Sequence, residues 1–128
     1  MSGILLTVGL CCCLSCGAPA PGDASWEVYR GDKHSSGYSS LNQINKTNVN
    51  RLAVAWTYQS GDAREGNRSA IQCNPIIIGS VMYVTSPKLK LIALNAIDGK
   101  EIWRFDPFEN EEATGVNRGV AYWQHNSD

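Results

Sequence analysis

Few side chains of this sequence stand in a pattern that could do chemistry. Four of the five cysteines, Cys11, Cys12, Cys13 and Cys16, crowd together near the N-terminus, and Cys73 stands apart. A thiol can ligate a metal or pair as a disulfide, but after residue 22 Cys73 has no second cysteine, so neither a C-x-x-C pair nor a disulfide framework can form there. His34 and His125 lie in unrelated polar stretches, with only Asp32 and Asp128 respectively close by, and do not compose a metal site. No Ser-His-Asp context, phosphate-cradling glycine loop or dinucleotide fingerprint occurs. What remains is groups that bind instead of react, guanidinium and carboxamide side chains such as Arg118, within Asn117-Arg118-Gly119-Val120-Ala121-Tyr122-Trp123, and Gln72, three residues before Pro75, and residue type alone does not single these two out. A guanidinium forks onto carboxylates, and a carboxamide both donates and accepts hydrogen bonds. Both are binding groups.

The 11 Lys and Arg against 12 Asp and Glu give a net charge of −1, so no basic field marks a nucleic-acid binder. The first charged residue is Asp23. Ile4 to Leu14 is a largely apolar run, followed by small residues and prolines, and residues 1–22 read as a secretory leader, though one without a basic start. Leu14-Ser15-Cys16-Gly17 resembles the end of a bacterial lipoprotein box, with Cys13 where an aliphatic residue is usual. That resemblance implies lipidation of Cys16. The expectation is an exported protein, periplasmic or lipid-anchored at the membrane, with residues 23–128 as an incomplete domain. Nothing after residue 22 approaches the roughly 18 consecutive apolar residues of a spanning helix.

The elements that must position any such groups are β-strands. Trp26 to Tyr29 reads as a short extended stretch ended by Gly31-Asp32, and residues 33–40 as loop. Asn45 to Leu52 fits a single helical turn with Thr47 or Asn48 as its N-cap. Leu52 to Tyr58 alternates and stops at Ser60-Gly61-Asp62, as a strand does. Four short strands follow: Pro75–Ile78, a Gly79-Ser80 turn, Val81–Thr85, a loop around Pro87, Leu89–Leu94, an Asp98-Gly99 turn, and Glu101–Phe105. Together they make one sheet of propeller type. Such a sheet cannot bury both faces by itself, so it needs neighbours and leaves edges open. The glutamates at 109, 111 and 112 read as a solvated loop.

Ala93-Leu94-Asn95-Ala96-Ile97-Asp98-Gly99-Lys100-Glu101-Ile102-Trp103 closely resembles the tryptophan-docking repeat of quinoprotein propellers, in which an Ala, a Gly six residues on and a Trp four further recur. Gly99 supplies the freedom that a tight turn demands. The resemblance implies that Trp103 lies flat between blades beside small Ala93, burying a large apolar area.

Two flanking stretches resemble the dehydrogenase branch of that family. Trp26-x-x-Tyr29-x-Gly31-Asp32, continuing through Tyr38 to Asn45 and Val54 to Tyr58, is similar to the opening of membrane-type quinoprotein glucose and related dehydrogenases. There the opening segment supplies a strand to the last blade and closes the ring, a part that the resemblance gives to Leu52–Tyr58, with its partners expected beyond the end of the chain. Asn117 to Trp123 resembles the segment whose arginine contacts the cofactor pyrroloquinoline quinone (PQQ). By this resemblance Arg118 binds a PQQ carboxylate, and Gln72 hydrogen-bonds a quinone or carboxylate oxygen. Glu112 and Ala113 stand where alcohol-type members carry adjacent cysteines, which favours a glucose-type or polyol-type member. The family's Ca²⁺ ligands and its Asp base come from later blades, so no residue here is expected to be catalytic or to ligate metal.

The sequence therefore reads as all-β: part of an eight-bladed β-propeller, about one blade plus the ring-closing N-terminal strand. The implied function is that of an N-terminal fragment of an exported PQQ-dependent sugar, polyol or alcohol dehydrogenase, inactive alone. A respiratory quinone or cytochrome would be its electron acceptor. The alternative is a non-enzymatic propeller lipoprotein that serves as an outer-membrane assembly scaffold, binding through loops and strand edges.

Overall fold

A computed structural model describes residues 25–63, 66, 69–109, 111, 113 and 115–125. The leader, including Cys16, and Glu112 lie outside the described residues. Four strands, β1 (Ile76–Ile78), β2 (Val81–Thr85), β3 (Leu91–Asn95) and β4 (Glu101–Phe105), form one antiparallel sheet in the order β1-β2-β3-β4. This meander follows from apolar runs separated by turn residues. Gly79 has φ 60° in the two-residue link between β1 and β2, a backbone state that residues with a Cβ resist. Asn95 and Gly99 close the β3–β4 turn, with Gly99 N–H donating to the Asn95 carbonyl at 2.8 Å.

The third strand starts at Leu91, two residues later than the apolar run suggests. Leu89 has φ 61°, which no strand residue adopts, and its N–H donates to the Ser86 carbonyl in a turn. The Asp62 carboxylate fastens that turn, accepting from Ser86 Oγ at 2.5 Å and from Lys88 N at 3.4 Å.

β3 has neighbours on both sides and carries the core: Ile92, Ala93 and Leu94 are buried, joined among the described residues by Ile76 and Ala113. β4 is exposed along its whole length, the open edge that an isolated sheet must leave. Residues facing each other across the strands share a face. One face carries Ile76, Tyr83, Ala93 and Trp103 in a row, and the other Met82, Leu94, Val84, Ile92 and Arg104. In the first row Ala93 is wholly buried, and the rings of Tyr83 and Trp103 lean together across it with centroids 5.9 Å apart. Trp103 nevertheless keeps 41% of its surface exposed.

The N-terminal residues wrap this sheet. Trp26 exchanges two backbone hydrogen bonds with Ile77, at 2.8 and 2.9 Å, and so covers the β1 edge. A 3₁₀ turn at Val49–Arg51 is preceded by Asn48, whose side chain accepts from Asn45 N instead of capping the turn. Leu52–Tyr58 forms no strand ladder among the described residues. Its two-residue rhythm is kept by Trp56, Tyr58 and Ser60, which are half-buried while Thr57 and Gln59 are exposed. The alternation lays Trp56 and Tyr58 along the sheet face, and the strand partners that the resemblance implies for Leu52–Tyr58 belong to other blades.

Candidate functional site

The loop carrying Arg118 is held against the start of β1. Pro75 biases the residue before it towards extended backbone, and that residue, Asn74, faces the loop. Its N–H donates to the Arg118 carbonyl at 2.8 Å, and its Nδ2 donates to the same oxygen at 3.3 Å. The same Nδ2 lies 3.4 Å from the Gln72 carbonyl. One carboxamide thus ties together the backbones of the two residues singled out as binding groups.

Residues on either side of Arg118 fix the loop further. Asn117 Oδ1 accepts from Gly119 N at 2.5 Å and from Thr85 Oγ at 3.4 Å, which connects the loop to the end of β2. Gly119 has φ 128°, and a Cβ there would stand 2.7 Å from the Asn74 carbonyl oxygen. Glycine is therefore required twice over, by conformation and by the close approach of backbone. Beyond it, Val120, Ala121 and Tyr122 line a shallow cavity of about 230 Å³ with Ile76, Ile78 and Tyr83, on the face that carries Trp103. The loop is anchored by apolar contact as well as by hydrogen bonds.

The side chains of Arg118 and Gln72 are exposed. No described residue pairs with the guanidinium of Arg118. The arrangement is a fixed root with a guanidinium at its tip that has no partner among the described residues, which suits binding a carboxylate from outside the loop. Cys73, between Gln72 and Asn74, points elsewhere: Thr85 N lies 3.2 Å from its Sγ, and it lines a groove of about 720 Å³ with Trp56, Tyr58, Val84 and Leu94.

That groove lies on the opposite face, where Arg104 holds the N-terminal segment. Arg104 donates to Glu101 Oε2 at 2.9 Å, to Tyr58 OH at 2.8 Å and to the Ser60 carbonyl at 3.0 Å, and Tyr58 OH donates to Glu101. Hydrogen bonds from Arg104 and Tyr58 hold the Glu101 carboxyl below its ordinary range, and burial together with Glu101 pushes the Tyr58 hydroxyl up. Burial alone would raise Asp62, but the hydroxyls of Ser60 and Ser86 and the Lys88 N–H bring it below the usual carboxylate value. Among the described residues no three His, Cys, Asp or Glu side chains gather as metal ligands.

Residues 26–128 match the family model described as PQQ: glucose/ethanol/alcohol dehydrogenase, β-propeller domain. The chain belongs to that family. Among this quinoprotein family, it is 36% identical over 115 residues to quinoprotein glucose dehydrogenase A of Acinetobacter calcoaceticus, a match covering 85% of this chain and 14% of that protein. It is 39% identical over 93 residues to quinohemoprotein alcohol dehydrogenase ADH-IIG of Pseudomonas putida, covering 68% and 12% respectively. The crystal structure of quinohemoprotein alcohol dehydrogenase from Comamonas testosteroni superposes with a TM-score of 0.66 at 29% identity, over 81% of this chain and 16% of that one. The chain thus spans about one seventh of the length of these curated relatives, at 14% of the first. Its sheet is part of a quinoprotein β-propeller.

Sequence reasoning singled out Gln72 and Arg118 but missed Asn74, Asn117 and Thr85, which hold them. Asparagines at both ends of this contact were the available signal, since a carboxamide can join two backbones. It was not readable without the contact. Trp56 was also missed as a packing partner of Gly99.

Proposed function

We propose that the chain contributes an N-terminal part of the propeller of a PQQ-dependent dehydrogenase acting on a sugar, polyol or alcohol, and that the Arg118 loop supplies part of its cofactor pocket. The observation that carries this reading is the Arg118 loop itself: its backbone is clamped to Asn74 while its guanidinium is exposed with no described partner. PQQ bears three carboxylates, and an exposed, rooted guanidinium is suited to one of them. The residues present therefore fit the cofactor.

Arg118 would hold a carboxylate of PQQ, and Gln72 would donate to, or accept from, its polar edge. When bound, PQQ supplies the quinone that takes up the electrons of the oxidised alcohol carbon; the protein supplies orientation and charge. Arg118 and Gln72 orient and neutralise; neither is proposed to transfer a proton. Calcium and the catalytic base are proposed to be held by other parts of the propeller. The electron acceptor is proposed to be a respiratory quinone or a cytochrome, and relatives carry both descriptions, as in alcohol dehydrogenase (quinone) of Gluconobacter oxydans and 1-butanol dehydrogenase (cytochrome c) of Thauera butanivorans. The location is proposed to be the periplasm or the membrane surface, with residues 1–22 as leader and Cys16 as the lipidated residue. The Glu112-Ala113 pair supports a glucose-type or polyol-type substrate.

The test is PQQ-dependent dye reduction by the full-length protein carrying this segment, with and without added Ca²⁺, across sugars, polyols and primary alcohols. Turnover that requires PQQ is expected. Absence of any PQQ-dependent turnover and of PQQ binding defeats the proposal, and would leave the scaffold function as the better description.

A further inference from the structure

We infer that Asn74 is the positioning residue for Arg118, a role that rests on the reading of Arg118 as a cofactor contact. Three observations converge on it. Asn74 gives both its N–H and its Nδ2 to the Arg118 carbonyl, at 2.8 and 3.3 Å. Its Nδ2 also reaches the Gln72 carbonyl at 3.4 Å, so it spans the two candidate ligand-binding residues. Its own carbonyl oxygen packs where a Gly119 Cβ would be, 2.7 Å away, so the loop can close on Asn74 only with glycine next to Arg118.

The backbone bond alone would allow the loop to pivot about a single donor. A second donor from the same residue to the same oxygen removes that freedom, because the peptide plane at 118 must satisfy both directions at once. The Arg118 side chain departs from this fixed plane. Exposed arginines lose considerable rotamer freedom when they bind, and a fixed backbone limits that loss to the side chain. Asn74 touches no ligand itself: it acts through Arg118, and its carboxamide has to be a donor, since the two atoms it faces are both acceptors.

The test is a double-mutant cycle in the full-length protein, read as the Kd for PQQ by equilibrium titration in the absence of substrate. Arg118→Ala is expected to raise Kd by roughly 10- to 100-fold, as loss of a charge-assisted contact does. Asn74→Ala is expected to raise it by about 3- to 10-fold. Asn74→Asp should be worse than Asn74→Ala, because it turns an oxygen towards two carbonyl oxygens. In the double variant the Asn74 substitution should add less than about twofold, since its effect passes through the guanidinium. Amide hydrogen exchange gives a readout independent of the cofactor: the residue 74 N–H should exchange faster in Asn74→Ala than in Arg118→Ala. If Asn74→Ala does not fold, the cycle is read with Asn74→Ser, which is expected to weaken binding by a similar factor. Wild-type Kd in the Asn74 variants, or losses that simply multiply in the double variant, overturns the inference while leaving the Arg118 reading intact. Wild-type Kd in Arg118→Ala instead defeats the cofactor reading itself.

Discussion

The indole of Trp56 occupies the space that a side chain at residue 99 would need. A Cβ built on Gly99 would stand 2.6 Å from Trp56 Cδ2 and nearer still to Cε3, while Trp56 Nε1 donates to the Ala96 carbonyl of the same turn at 3.3 Å. The glycine of the docking repeat thus answers two demands. It takes φ 71° in the β3–β4 turn, and it leaves a seat for an aromatic ring that arrives from 43 residues earlier in the chain.

Gly99→Ala should therefore cost more than an ordinary glycine replacement. The left-handed backbone contributes about 1–2 kcal/mol, and displacement of the ring adds about 1–3 kcal/mol. Gly61→Ala is the control, since Gly61 has φ 74° but a Cβ there would meet no described residue within 4 Å. It should lose only the first part. Urea denaturation of the two variants measures the difference, and equal losses would mean that Trp56 does not hold the turn.

The Ala93 position is governed by the rings above it. Tyr83 and Trp103 sit on strands either side of β3 and meet with centroids 5.9 Å apart only because the residue between them is small. Ala93→Leu should overpack this wholly buried site and destabilise by about 1–3 kcal/mol. The shift in denaturation midpoint checks the cost, and an unchanged midpoint would show that the ring pair tolerates being parted.

How much of this was legible in the sequence differs by element. The strands around Gly79-Ser80 and Asp98-Gly99 were readable because each turn requires a residue type that names it. Leu89 was misplaced in a strand because its apolar character matches β3, whereas its left-handed backbone is imposed by a turn fastened to the distant Asp62. Leu52–Tyr58 has the alternation of a strand whose expected partners belong to other blades, and in this chain that rhythm lays Trp56 and Tyr58 on a sheet face, a contact that pattern alone does not reveal. At the site, Arg118 and Gln72 could be singled out by the resemblance, with a chemistry that suits it. Asn74 could not: its role exists only through a contact across 44 residues.

The Arg104–Glu101–Tyr58 cluster should make the seating of the N-terminal segment depend on pH at both extremes. Glu101 is held below its ordinary value of 4.5, so its contribution is present above that pH and is lost as pH falls through its lower folded value. Tyr58 is held above its ordinary 10.0, so its contribution is present below that pH and is lost as pH rises through the higher folded value. The cluster is partly exposed, and each loss should stay within about 1 kcal/mol. Glu101→Gln should flatten the acid limb of a stability-against-pH curve, and Tyr58→Phe the alkaline limb. A Glu101→Gln curve that still falls like wild type on the acid side would assign that limb to other carboxylates.

Gly119 and Gly115 offer a matched pair for the loop. Both have φ 128°, where side chains bring strain of about 1–3 kcal/mol. They differ in surroundings: no described residue lies within 4 Å of a Cβ on Gly115, whereas one on Gly119 meets the Asn74 carbonyl at 2.7 Å. Backbone cannot yield as a flexible side chain can, so Gly119→Ala must push the loop off the start of β1 and carry the Arg118 guanidinium with it. PQQ titration of the full-length protein should show affinity falling by about tenfold or more in Gly119→Ala. Gly115→Ala, with the same conformational strain, should lose no more than about threefold. Equal losses in the two variants would trace the effect to strain in the loop and detach it from the contact with Asn74.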